Sequence, residues 1–346
     1  MKRILPVTVA LLICATFLFV LPFDSASAQI PPIGIIDFYG LRSISEQQAR
    51  EALQIKEGDA VPDSRGEIER RLEALPNVQQ ARLNFVCCEA GKVILYVGIK
   101  ERGAPTLQFR PAPRGRTKLP DSMVQAGDAL SDAVTRGAEH GDVSEDDSQG
   151  HALFHNPEAR AVQERFITFA AQDLKLLRAV LRESSEAHHR ALAADIIAYA
   201  ANKRDVVKDL VYGMSDPDED VRNNSIRALA VIAGFARASR NLRIKVPAEP
   251  FIEMLNSIIW TDRNKSSAVL LQLTEQRDAA VLSSLRQRAL QSLAEMSRWK
   301  SPGHAGAAFF ILGRVGNLSD DEIQKAWSSG NRQLLIGTVL KRVRPK

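Results

Sequence analysis

Between Ile33 and Arg102 the apolar positions change spacing several times, and each change predicts a new element. Ile36 and Phe38 alternate with Ile35, Asp37 and Tyr39 as in a strand, and Gly40 ends it. Ser45 followed by Gln48 is a capping-box signature, behind which Ala49, Ala52 and Leu53 share a helical face. "KEGD" breaks that helix. A second helix is predicted from about Asp63 to Leu75, with Ile68, Leu72 and Leu75 on one side, and Pro76 stops it. Two alternating runs follow, Ala81-Leu83-Phe85 and Val93-Leu95-Val97-Ile99, joined through Ala90-Gly91 as an antiparallel hairpin. For this β-α-α-β-β order the economical packing is a three-stranded sheet with both helices on one face.

If Phe38, Phe85, Leu95 and Val97 face those helices, then Ile35, Tyr39, Val86, Ile94 and Tyr96 face outward. The wet face of an antiparallel sheet is normally polar. These five residues therefore predict either a partner patch or packing against the chain's own linker or helical region.

Next come two segments without strong periodicity. Residues 103–118, "GAPTLQFRPAPRGRTK", read as an extended linker. Residues 119–157 hold one weak helical pattern near 120–136, then the acidic, Gly-dotted "EHGDVSEDDSQGH", which reads as disordered. The span 103–157 is thus expected to be a largely disordered linker.

From residue 158 the period is helical to the end. "HRALAADIIAYA" (189–200), "VRNNSIRALAVI" (221–232), "DRNKSSAVLLQL" (262–273) and "HAGAAFFILGRV" (304–315) align without gaps, and Arg190, Arg222 and Arg263 coincide. Other apolar-faced helices precede these copies, at 204–214, 249–259 and 280–297, and a last pair is expected over 319–343.

Two resemblances follow from these residues. Over residues 33–102, the strand ending at Gly40, the Ser45-led helix, "KEGD", "LPNV" and the hairpin ending in "KER" resemble a POTRA module. That resemblance implies a non-catalytic α+β domain that binds partners, often by adding a strand to its sheet edge. No β-barrel sequence follows it. Over 158–343 the recurring helix pairs resemble HEAT repeats, with "DPDEDVRNNSIRALAVI" the nearest match to the signature. This implies an all-α solenoid, here 158–346, with Arg190, Arg222 and Arg263 in structural inter-repeat ladders and a concave face for protein partners.

Composition changes the picture mainly at the N-terminus. Lys2 and Arg3 precede an uncharged apolar run from Ile4 to Phe23, and Ala26-Ser27-Ala28 supplies a cleavage site. Residues 1–28 read as a signal peptide, which places the chain in the periplasm or outside the cell. The run is also long enough to span a bilayer, so residues 4–23 retained as a membrane anchor is the alternative. The net charge of +5 is mild for 346 residues and reads as solubility, with some attraction to an acidic envelope surface, rather than as nucleic-acid binding.

Candidate chemistry is thin. Of three cysteines, Cys14 lies in the apolar run, while Cys87 and Cys88 are adjacent at the end of a strand. Cys87 reads as a small apolar filler, with a vicinal Cys87–Cys88 disulfide as the alternative. His151 and His155 could share a helix face as metal ligands for a hydrolase, but no HExxH is present. No P-loop, GxSxG or dinucleotide fingerprint occurs, so no catalytic, metal or cofactor residues are assigned. The expectation is an exported, non-catalytic scaffold of the cell envelope that binds proteins; a membrane-anchored division or envelope-assembly protein is the alternative.

Overall fold

The computed structural model describes residues 31–343. The apolar N-terminal run, its cleavage point and Cys14 lie outside them. The first unit contains β1 (Ile33–Tyr39), α1 (Glu46–Leu53), α2 (Arg65–Glu73), β2 (Val78–Glu89) and β3 (Lys92–Glu101). Strand order is β1-β3-β2, with β1 parallel and β2 antiparallel to β3. Ser45 and Gln48 cap α1 reciprocally, as their spacing predicts.

A register shift between Ile33 and Ile35 lets Ile33, Ile36 and Phe38 all reach the helix side of the sheet. There they pack with Leu53, Ile68, Leu72 and Val97 in one core. Glu101 locks the loop between β1 and α1. Its carboxylate accepts from the main-chain N–H groups of Arg42 (2.6 Å), Ser43 (2.9 Å) and Ile44 (3.1 Å). These donors, with the Ser43 hydroxyl, hold its pKa below the ordinary glutamate value, although burial acts the other way.

Residues 103–157 are not the disordered linker their composition suggests. The first part is an extended strap along the helical domain. Arg110 stacks on the Tyr212 ring, 3.4 Å to its centroid, and its Nε donates to Ser215 Oγ at 2.8 Å. Gly115 N donates to Glu183 O at 2.7 Å, and Gly115 O accepts from Ser185 N at 2.9 Å. Then come α3 (Asp121–Glu139) and the short antiparallel pair β4 (Glu145–Asp146) and β5 (Leu153–Phe154). The acidic stretch is held because Glu145 pairs with Arg227, on a helix far away in sequence. Local composition lacked binding partners, and the helical domain supplies them.

The helices that follow are α4 (Pro157–Glu183), α5 (Ala187–Ile197), α6 (Lys203–Gly213), α7 (Glu219–Ala238), α8 (Glu249–Met254) and α9 (Trp260–Leu273). They are continued by α10 (Ala279–Arg288), α11 (Leu290–Met296), α12 (Pro302–Val315), α13 (Asp320–Ser328) and α14 (Arg332–Val343). The predicted helix over 280–297 is thus two helices, broken at Ala289 (φ −135°, ψ 9°). The four aligned copies fall on α5, α7, α9 and α12, which pack side by side in that order, with α4 at one end and α14 at the other. This is a helical-repeat stack, and one continuous core runs through it.

Arg190, Arg222 and Arg263 repeat one arrangement at the start of three stacked helices. Each is almost fully buried and donates to carbonyls of the turn just before its own helix: Ser184 O for Arg190, Asp216 O for Arg222 and Ser257 O for Arg263. Each also meets a carboxylate. Arg190 forks onto Asp216 (2.9 and 2.8 Å), Arg222 onto Asp262 (3.0 and 2.9 Å), and Arg263 reaches Glu295 (3.1 Å). The turns before these helices are thereby fixed to the next repeat along one edge of the stack, and the first unit contacts that edge at Ile258 and Lys300.

Candidate functional site

The outward face of the small sheet lands on this edge. Tyr96 stacks on Trp260, with centroids 5.3 Å apart, and tilts against Trp299 at 4.9 Å. Its hydroxyl lies 2.7 Å from Nδ1 of His304. Burial pushes the His304 pKa down and the Tyr96 pKa up, so both groups favour their neutral forms and share one hydrogen bond. Tyr39 donates to Ile258 O at 2.7 Å, with the Arg263 guanidinium 4.6 Å from its ring centroid. Gly98 lies opposite Tyr39 in the β1–β3 register. A Cβ on it would sit 2.2 Å from Ile258 O, so only glycine allows this approach.

Polar contacts surround the aromatic cluster. Asp37 accepts from Lys300 N at 2.8 Å, Glu89 accepts from the Ser301 hydroxyl at 2.8 Å, and Glu295 accepts from Gly40 N at 3.2 Å. Burial raises the Asp37 pKa, and the Lys300 contacts oppose it. The ladder of buried arginines thus ends, through Arg263 and Glu295, on the loop that follows β1.

This arrangement corrects the expectation of a partner patch. Tyr39, Ile94 and Tyr96 are buried, and Ile35 and Val86 are partly buried against the same helical core. The sheet face is covered by α9, α11 and α12, because Trp260 at the start of α9 and Trp299 in the turn between α11 and α12 match its tyrosines. The sequence carried both readings of the five residues, but no local signal names the covering surface. Trp260, Trp299, His304 and Gly98 were missed for that reason.

Two features of the first unit stay open. The sheet's edge strands are β1 and β2; on β1 the main-chain groups of Ile33 pair with Gly58 and Asp59 and Ile36 O accepts from Lys300 Nζ, which leaves β2 as the more open edge. Along it the main-chain groups of Ala81, Leu83 and Phe85 point away from β3. Glu73 accepts from Ala81 N at 3.1 Å and Glu69 accepts from Leu83 N at 2.9 Å. No described side chain takes the same role for Phe85, whose ring lies under the Arg65 guanidinium (5.5 Å to the centroid). Beyond it the register shifts between Val86 and Glu89. Cys87 is exposed there rather than a core filler, and the structure bonds it to Cys88.

On the helical domain, α3 bridges over α5 toward α7 and leaves a groove of about 580 Å³. Leu130 and Val134 form one wall, Asn223 and Arg227 the other, and Ala191, Leu192 and Asp195 the floor. Burial raises the Asp195 pKa, with Arg227 opposing, and the Asn223 Oδ1 atom is buried without a hydrogen-bond donor. Polar oxygens thus stand on the floor at Asp195 and on the wall at Asn223.

His151 and His155 do different things. His151 is buried, and its Nδ1 accepts from Lys203 Nζ at 2.9 Å, which also donates to Ala198 O at 2.7 Å. His155 Nδ1 contacts the Ser144 hydroxyl at 3.1 Å. Among the described residues no group of three or more His, Cys, Asp or Glu converges as a metal site. No described helix is long and apolar enough to cross a membrane.

No protein-family profile and no curated protein matches the chain. Among solved structures it is similar to a designed armadillo repeat protein, at 15% identity and a TM-score of 0.34, over 54% of this chain and 94% of that one. A designed armadillo repeat protein in complex with the peptide (KR)4 gives 14% identity and the same TM-score, over 55% and 96%.

Proposed function

We propose that the chain is a non-catalytic scaffold that binds protein partners in the cell envelope, with a POTRA-like first unit and a HEAT-like helical stack. The reading is supported by the β-α-α-β-β order and by the outward main-chain groups of β2 at Phe85. The latter carries it: the sheet's face is occupied, so the edge is where an added strand gains main-chain hydrogen bonds. The groove between α3 and α7 is the second surface, suited to an extended segment with donor groups. Export rests on the N-terminal signal. Retention of residues 4–23 as an anchor is favoured by the length of that run, and N-terminal sequencing that begins at Gln29 excludes it.

Photo-crosslinking amino acids at Arg65 beside β2 and at His188 on the groove mouth test the reading in intact cells, with Ile167 on α4 as the control. Discrete adducts are expected at the first two positions and none at the third. Phe85→Pro keeps the β2–β3 ladder, since that N–H points away from β3. It should abolish the Arg65 adduct and spare the His188 adduct. Equal labelling at all three positions, or an unchanged Arg65 adduct in Phe85→Pro, overturns the edge-binding reading.

A further inference from the structure

A second cleft, of about 450 Å³, lies where the first unit, the strap and the helical domain meet. Its apolar walls come from Ile99, Pro105, Ile258 and Leu290. Its charged lining is lopsided: five cations, Arg42, Lys100, Arg263, Arg286 and Arg288, face one carboxylate, Glu295. Two of the five are already neutralised. Arg263 pairs with Glu295 at 3.1 Å, and Arg288 pairs with Glu249 and Glu253 behind the cleft.

The other three are not. Arg286 donates to the carbonyl oxygen of Val315 at 2.8 Å, a neutral acceptor. Among the described residues, neither Arg42 nor Lys100 nor Arg286 has a carboxylate within ion-pair distance. These three charges come from separate elements: the loop after β1, the end of β3 and α10. Only the docking of the first unit onto the helical domain brings them to one cleft. Like charges converging without a counter-charge raise the energy of the docked state. A cleft with one sign of charge and low-dielectric walls also focuses its field on what enters.

We propose that this cleft binds a phosphate-type oxyanion, with Arg42, Lys100 and Arg286 as its ligands. Planar guanidinium groups donate to such oxygens in paired, charge-assisted hydrogen bonds, and the lysine adds a point charge. The opening accepts either a free phosphate compound or the phosphate of an anionic lipid headgroup. Because the ligands belong to both parts of the molecule, the bound anion holds them together. The site is independent of the β2 edge and of the groove under α3.

The test uses the full chain with inorganic pyrophosphate, read by calorimetry and thermal unfolding, and with vesicles of phosphatidylglycerol in phosphatidylcholine, read by co-sedimentation. Each lost charge-assisted contact should weaken binding about thirtyfold, which is about 2 kcal/mol. Arg42→Gln and Lys100→Gln change an exposed and a half-buried side chain that make no hydrogen bond or ion pair among the described residues, and circular dichroism checks their fold. Lys92→Gln, a surface change elsewhere, is the control.

Saturable pyrophosphate binding that also raises the melting temperature, weakened by both cleft variants and not by the control, supports a soluble phosphate ligand. Binding only to phosphatidylglycerol vesicles, with the same dependence on Arg42 and Lys100, supports a headgroup. No saturable binding to either probe, or binding that Lys92→Gln weakens as much as the cleft variants, overturns the proposal.

Discussion

Gly98→Ala puts the docking of the two parts to a direct test. The added Cβ would sit 2.2 Å from Ile258 O and 2.8 Å from the Tyr39 hydroxyl. A carbon needs at least about 3 Å from a carbonyl oxygen, so the sheet must retreat by about 1 Å. The obstacle on one side is main chain and on the other a buried tyrosine, so neither can swing aside. Overpacking of this kind costs about 1–3 kcal/mol. The retreat also breaks the Tyr39–Ile258 hydrogen bond of 2.7 Å, which adds about 1 kcal/mol. The first unit has its own core, so it should stay folded while its hold on α9 and α12 loosens. Two of the chain's three tryptophans, Trp260 and Trp299, pack directly on Tyr96. The variant is expected to show red-shifted fluorescence, a separate early unfolding transition and faster hydrogen exchange along β3. A variant that melts in one step at the wild-type temperature, with unchanged emission, would refute the account of this junction.

Three further outcomes are expected. Arg222→Met leaves Asp262 buried with only the Ser257 hydroxyl as donor, so it should cost about 3–5 kcal/mol in urea unfolding, while adding Asp262→Leu recovers much of that loss; independent, additive costs would contradict the pairing. Glu101→Gln should destabilise by about 1–3 kcal/mol at pH 7. The folded carboxyl titrates below its ordinary value of 4.5, so this contribution is complete above that value and lost as the pH falls through the folded one; a pH-independent difference between the two proteins would count against it. Burial and Lys203 lower the His151 pKa from 6.5 to about 4, so stability should decline by roughly 2 kcal/mol as pH falls between those values. His151→Gln should flatten that decline, and an equally steep one in the variant would exclude His151 as its source.

Local pattern was enough for the elements of the first unit. Alternation at Ile36 and Phe38, the Ser45–Gln48 cap and the Ala90-Gly91 turn depend on neighbours a few residues apart, so they are legible along the chain. The recurrence of Arg190, Arg222 and Arg263 is equally visible, because a repeat places each copy in the same local setting. The acids that answer them are less so: Asp216 and Asp262 and Glu295 stand at different distances along the chain, since each is chosen by the next turn or helix in space.

What the sequence alone determined is therefore a small α+β unit, a stack of paired helices and the two faces of the sheet, all set by periodicity and turn chemistry. Only the tertiary structure decided which face remains available. Tyr39 and Tyr96 look like a binding patch until Trp260, Trp299 and His304, more than 150 residues away, are packed on them. The strap 103–118 looks unstructured until Tyr212 and Glu183 meet it. Arg42, Lys100 and Arg286 look like solvated surface until docking places them around one cleft. In each case the deciding energy is a contact between distant segments, and composition and spacing carry no record of which distant segment will arrive.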